Sequence, residues 1–95
     1  MKNELNSYEK GGDKMLNMDY SFLRGKIRTY FGSESNFVKE LQNRGVEMSS
    51  GSFSNKINNK SFFNQGEIIQ ICNLLEIPIK ESYIYFFTKK NELNS

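Results

Sequence analysis

Between Asp19 and Pro78 the apolar residues fall into four short groups at helical spacing, each bounded by residues that start or stop a helix. Groups this short are marginal as isolated helices, so they must pack on one another around a shared core. Phe22, Leu23, Ile27, Tyr30 and Phe31 form the first, with Arg24, Lys26 and Arg28 on the other side. Asp19 or Ser21 can cap its start, and Gly32 supplies a left-handed stop. The second opens after Ser33, with Glu34 favourable at the positive end of the dipole, and buries Phe37, Val38 and Leu41. Gln42-Asn43-Arg44-Gly45 breaks it. After the anchors Val46 and Met48, Ser49 or Ser50 caps a third helix to about Asn58, with Phe53 and Ile57 inward. Phe62 and Phe63 then drop back into the core. Asn64 with Glu67 reads as a capping box for a fourth helix, which buries Ile68, Ile71, Cys72 and Leu75 and stops before Pro78.

The fold class expected is therefore all-α, a compact domain of four to five helices. Tyr83-Ile84-Tyr85-Phe86-Phe87 is the ambiguous segment, fitting either a fifth helical turn or a strand that pairs with its copy in a second subunit. The domain is expected over residues 19–88, between a flexible polar leader (1–18) and a polar tail (89–95). The string KNELNS occurs at both Lys2–Ser7 and Lys90–Ser95, and no mechanism requires the match.

A chain of 95 residues has too thin a core to wall off a deep substrate cavity. It contains no His and one Cys, Cys72, which argues against His-based catalysis, zinc clusters and disulfide frameworks. The expectation is a non-enzymatic cytoplasmic protein with no cofactor, no metal, no small-molecule substrate and no membrane span. Net charge is only +2, but residues 20–65 carry seven Lys and Arg against three Glu, a local +4 between weakly acidic ends. That distribution points towards a polyanion.

The order of elements carries the functional reading: a helix, a capped helix, a connecting turn, then a short helix with a polar face. Such a unit presents its last helix to the major groove. Ser50, Ser52 and Asn55 are small groups that hydrogen-bond base edges, and Gly51 permits close backbone approach. Asn55 stands out because an amide bonds adenine bidentately. Lys56, Asn58, Asn59 and Lys60 would grip phosphates, as would the backbone N–H groups near Ser33 to Asn36, although Glu34 opposes that second use. The same Ser and Asn residues would serve equally as solvent-facing caps. Tyr83, Tyr85 and Phe87 form an aromatic strip of the kind that marks an interface, whereas Phe22, Phe31, Phe37, Phe53 and Phe62 read as core.

Tyr20–Lys89 resembles the small lambda-repressor-like, Cro-type helix-turn-helix proteins of phages and prophages of Gram-positive bacteria. The strings that carry the resemblance are SFLRGKI (Ser21–Ile27), FGSESNFVKEL (Phe31–Leu41), FSNKINNK (Phe53–Lys60), EIIQICNLLEIP (Glu67–Pro78) and YFFTKK (Tyr85–Lys90). It implies a repressor that binds double-stranded operator DNA, usually as a homodimer. Base-reading positions would fall on Ser50, Gly51, Ser52 and Asn55, and backbone-gripping positions on Lys56, Asn58 and Asn59. Two departures stand out: the connection LQNRGVEMS (Leu41–Ser49) is longer than the family's tight turn, and Glu34 replaces a frequent Gln. A protein-interaction module on the same scaffold, such as an antirepressor or an inhibitor of another regulator, is the competing expectation.

Overall fold

In the computed structural model, which describes residues 17–90, each capped apolar group becomes a helix. These are α1 (Ser21–Phe31), α2 (Glu34–Asn43), α3 (Ser50–Ile57) and α4 (Gln65–Leu75). A 3-10 turn, Ile79–Glu81, leads into α5 (Ser82–Phe86). The architecture is all-helical. Residues 1–16 of the expected leader and 91–95 of the expected tail lie outside the described residues. Among the described residues no helix is long and apolar enough to cross a membrane.

The caps explain where the helices begin. The Ser33 hydroxyl accepts the Asn36 N–H at 3.1 Å, and the Ser49 hydroxyl accepts the Ser52 N–H at 3.0 Å. Asn64 and Glu67 close the capping box, each side chain accepting the other's backbone N–H at 2.8 and 2.9 Å. At α1 the N-cap is Tyr20, and the Asp19 carboxylate accepts the Ser21 N–H instead.

The stops are backbone devices. α1 ends on Gly32 at φ 84°. α2 ends in a Schellman motif: Val46 N–H donates to Leu41 C=O at 3.0 Å, Gly45 N–H donates to Gln42 C=O at 2.9 Å, and Gly45 has φ 89°. α4 ends on Glu76, a non-glycine residue at φ 60°.

The core is built on aromatic rings in contact. Phe31 meets Phe37 at 5.3 Å between centroids, Phe37 meets Phe53 at 5.8 Å, and Phe53 meets Phe63 at 5.9 Å. Phe63 then meets both Tyr20 (5.6 Å) and Phe86 (5.3 Å), joining the segments at the two ends of the domain. Leu23, Ile27, Leu41, Ile57, Ile71 and Leu75 fill the space around these rings.

Two expected core residues are corrected. Phe22 is 60% exposed and Phe62 56% exposed. α1 turns the stripe Leu23–Ile27–Phe31 to the core, so Phe22 falls with Lys26 and Tyr30 on the neighbouring stripe at i, i+4, i+8. At Phe62–Phe63 only the second ring reaches the core.

Of the ambiguous segment 83–87, residues 83–86 are helical rather than a strand and Phe87 is the C-cap. The 3-10 turn after Pro78 leads straight into α5, which buries Phe86. The Thr88 hydroxyl closes the segment by donating to Ile84 C=O at 2.8 Å.

Backbone contacts continue past residues 19 and 88, the expected edges of the domain. Met18 bridges Lys89 in antiparallel fashion, with Asp19 N–H donating to Thr88 C=O (2.7 Å) and Lys90 N–H donating to Asn17 C=O (3.0 Å). Asn17, Met18, Lys89 and Lys90 therefore belong to the folded unit.

Candidate nucleic-acid interface

Phe53 and Ile57 fix the roll of α3 by inserting into the core, which turns the rest of the helix outward. Ser50, Gly51, Ser54 and Asn55 are exposed and Ser52 is half-buried. A Cβ on Gly51 would meet nothing within 4 Å, so the helix surface there is open. The helix carries no carboxylate, and among the described residues the Asn55 amide makes no hydrogen bond. The residues expected to read bases thus lie outside the core, with Gly51 and Asn55 on the side opposite Phe53 and Ile57.

The residues expected to grip phosphates are placed differently. Lys60 is exposed in the turn after α3. Lys56 is not available: its ammonium lies 2.6 and 2.8 Å from the two carboxylate oxygens of Glu67, with side chains only 15% and 12% exposed. Asn59 sits at φ 67°, a left-handed conformation that Asn tolerates, and its amide is engaged on both sides by residue 18. Met18 N–H donates to Asn59 Oδ1 at 2.8 Å, and Asn59 Nδ2 donates to Met18 C=O at 2.9 Å. Asn58 ends α3, its Nδ2 donating to Ser54 C=O at 2.8 Å while its Oδ1 accepts from Arg24 at 2.9 Å. Ser33 and Asn36 act as caps, Asn36 Nδ2 donating to Phe31 C=O at 3.0 Å. The Asn58 and Asn59 amides and the Lys56 ammonium, expected to grip phosphate, thus hold the scaffold together, and the Asn36 N–H is taken up by the Ser33 cap.

Arg24 organises the site in a way the sequence reading missed. Expected on a solvent face of α1, its guanidinium lies 2.6 Å from Glu34 at the start of α2. It also donates to Ile57 C=O at 3.2 Å and to Asn58 Oδ1, at the end of α3. One planar, multi-donor group therefore ties α1 to both helices of the two-helix unit. The partners are 10, 33 and 34 residues away, so no local spacing announces them. Beside this pair, an open groove of about 470 Å³ is lined by Arg24, Ile27, Arg28, Gly32, Ser33 and Glu34. Arg28 is exposed there, and the charge of Glu34 is offset by Arg24.

The long connection Arg44–Ser49 is held at three points: the Schellman motif, the buried Met48, and Gln42 Nε2 donating to Met48 C=O at 2.8 Å. These contacts set the direction in which α3 leaves α2.

Of the expected interface aromatics, Tyr83 (62%) and Phe87 (56%) are exposed. Tyr85 packs against the core, with the Lys26 ammonium 5.8 Å from its ring centroid and 5.3 Å from that of Tyr30. Cys72 is buried, and burial pushes its thiol up from the usual range, away from the nucleophilic thiolate form.

No curated protein and no solved structure matches this chain. Residues 16–89, which take in nearly all of the described helical unit, match the model of a family described as "Protein of unknown function (DUF739)". A match over that much of the chain places it: the protein belongs to the DUF739 family.

Proposed function

We propose that this chain is a sequence-specific, double-stranded DNA-binding transcriptional regulator of the Cro-like helix-turn-helix type, with α3 read into the major groove. The observation that carries the reading is the outward face of α3, small, polar and without a carboxylate, with the Asn55 amide unengaged among the described residues. The fixed α2–α3 connection and the Arg24 ties supply the rigidity that groove recognition needs. Ser50, Gly51, Ser52 and Asn55 contact base edges, and Lys60 contacts the backbone. A homodimer formed through the exposed rings of Tyr83 and Phe87 sets two copies of α3 in successive major grooves, about 34 Å apart. Repression follows from occluding polymerase.

Selection of bound sites from a random duplex pool, followed by anisotropy titrations across a salt series, tests the proposal. An enriched near-palindrome with salt-dependent affinity supports it. Absence of enrichment together with absence of salt-dependent binding removes it.

The aromatic surface favours a second reading, a protein-interaction module on the same scaffold. Phe22, Tyr30, Tyr83 and Phe87 are aromatic side chains left exposed. Pull-down from nuclease-treated lysate separates the two, because a protein partner survives that treatment and a DNA-bridged one does not.

A further inference from the structure

We infer that Lys89 and Lys90 are a DNA-backbone contact, carried to the α3–α4 loop by the bridge between the two ends of the domain. The inference rests on the DNA-binding reading above and adds to it a site for phosphodiester oxygens.

The placement follows from three linked observations. Asn59, in the loop after α3, holds the backbone of Met18 from both its N–H and its C=O. Met18 bridges Lys89, and the flanking bonds Asp19–Thr88 and Lys90–Asn17 fix the register of the two short segments. Lys90 in turn lines, with Asn58 and Asn59, a polar recess of about 190 Å³. Lys89 and Lys90, which by sequence open the polar tail, thus lie against the loop that carries Lys60.

The charge of this region fits a polyanion. Lys60, Lys89 and Lys90 are all exposed, and among the described residues none forms an ion pair. The recess contains one carboxylate, Asp19, whose oxygen accepts both the hydroxyl and the backbone N–H of Ser21. Its other cation, Arg24, is paired with Glu34. Lys56, one of the two lysines expected to grip phosphate, is paired with Glu67, so Lys89 and Lys90 join Lys60 as the unpaired positive charge near the end of α3. The bridge uses only backbone atoms of residues 88–90, so changing the lysine side chains leaves its hydrogen bonds intact.

The test compares the full-length chain with a K89Q/K90Q variant and a K89R/K90R variant on the selected duplex, across a salt series. Each phosphate contact contributes about 0.9 to the slope of log affinity against log salt. The Gln variant is expected to lower that slope by about 1 to 2 and keep the same preferred sequence, and the Arg variant to keep the wild-type slope. A Gln variant with the wild-type slope overturns the inference and leaves the DNA-binding reading standing. A wild-type chain without salt-dependent binding overturns both.

Discussion

The ammonium of Lys56 is held by both carboxylate oxygens of Glu67, at 2.8 and 2.6 Å, while one of those oxygens also accepts the Asn64 N–H. A single carboxylate therefore closes the cap of α4 and ties α3 to it. Glu67→Ala loses the carboxylate half of the capping box and leaves a half-buried cation unpaired. It is expected to cost about 2–3 kcal/mol in urea unfolding. Lys56→Met keeps the packing volume but leaves the largely buried Glu67 carboxylate with only the Asn64 N–H as partner, and is expected to cost about 1–3 kcal/mol. Because Lys56 is engaged internally, Lys56→Met should leave the salt slope of DNA binding unchanged, whereas Lys60→Ala should flatten it by about 1.

Asn55→Ala removes an exposed amide that supports nothing in the described fold. The thermal midpoint should stay within about 2–4 °C of wild type, since surface changes of this kind fall within about 0.5 kcal/mol. Binding to the selected site should weaken by about 1–3 kcal/mol, and one base preference should relax. Loss of affinity that is equal on every duplex would assign Asn55 to the backbone instead.

Glu76 occupies a left-handed conformation (φ 60°, ψ 39°) that costs a side chain with a Cβ about 1 kcal/mol or more. Glycine removes that cost and preserves the α4 stop, in which Ile77 N–H donates to Cys72 C=O at 2.8 Å. Glu76→Gly should therefore stabilise the domain by about 0.5–1 kcal/mol, read as a rise of several degrees by calorimetry.

Asp19 titrates below the usual carboxylate range, chiefly because the Ser21 hydroxyl and then the Ser21 N–H donate to it, with Lys90 adding a favourable charge. A depressed folded-state value means that its contribution is complete above the unfolded-state value, about 3.9. The contribution is lost as pH falls through the folded value. The stability difference between wild type and Asp19→Asn should be constant near neutrality and should narrow below about pH 4. A gap that is flat down to pH 2 would mean the Ser21 contacts do not depend on the charge.

The Cys72 thiol is buried against the core and raised by desolvation. It should resist alkylation in the native state at neutral pH and react promptly in denaturant, as mass spectrometry would register. Rapid native labelling would show that α4 opens locally.

Local devices were legible in the sequence. Ser33, Ser49 and the Asn64–Glu67 box mark helix starts because a cap acts within three residues, and Gly32 and Gly45 mark stops because few other residues adopt those angles. The outward face of α3 was legible for the same reason, since Phe53 and Ile57 alone set its roll. What escaped is long-range. Whether Lys56 meets a phosphate or Glu67 depends on how α4 docks, and Asn59 reads as a loop residue until Met18 is brought to it. Phe22 escaped through stripe assignment, because two adjacent stripes of α1 both carry aromatic residues and only one fits against the core.

The hydrogen bond from Lys90 to Asn17 makes the first and last described residues neighbours. Fusion partners or purification tags appended through either of them emerge at a common point, beside the loop bearing Lys60, and would crowd whatever approaches that loop. A reporter inserted at the exposed Gly45 turn would sit between α2 and α3. Joining residues 17 and 90 with a short linker offers a different handle, a closed chain whose new ends can be moved away from that point.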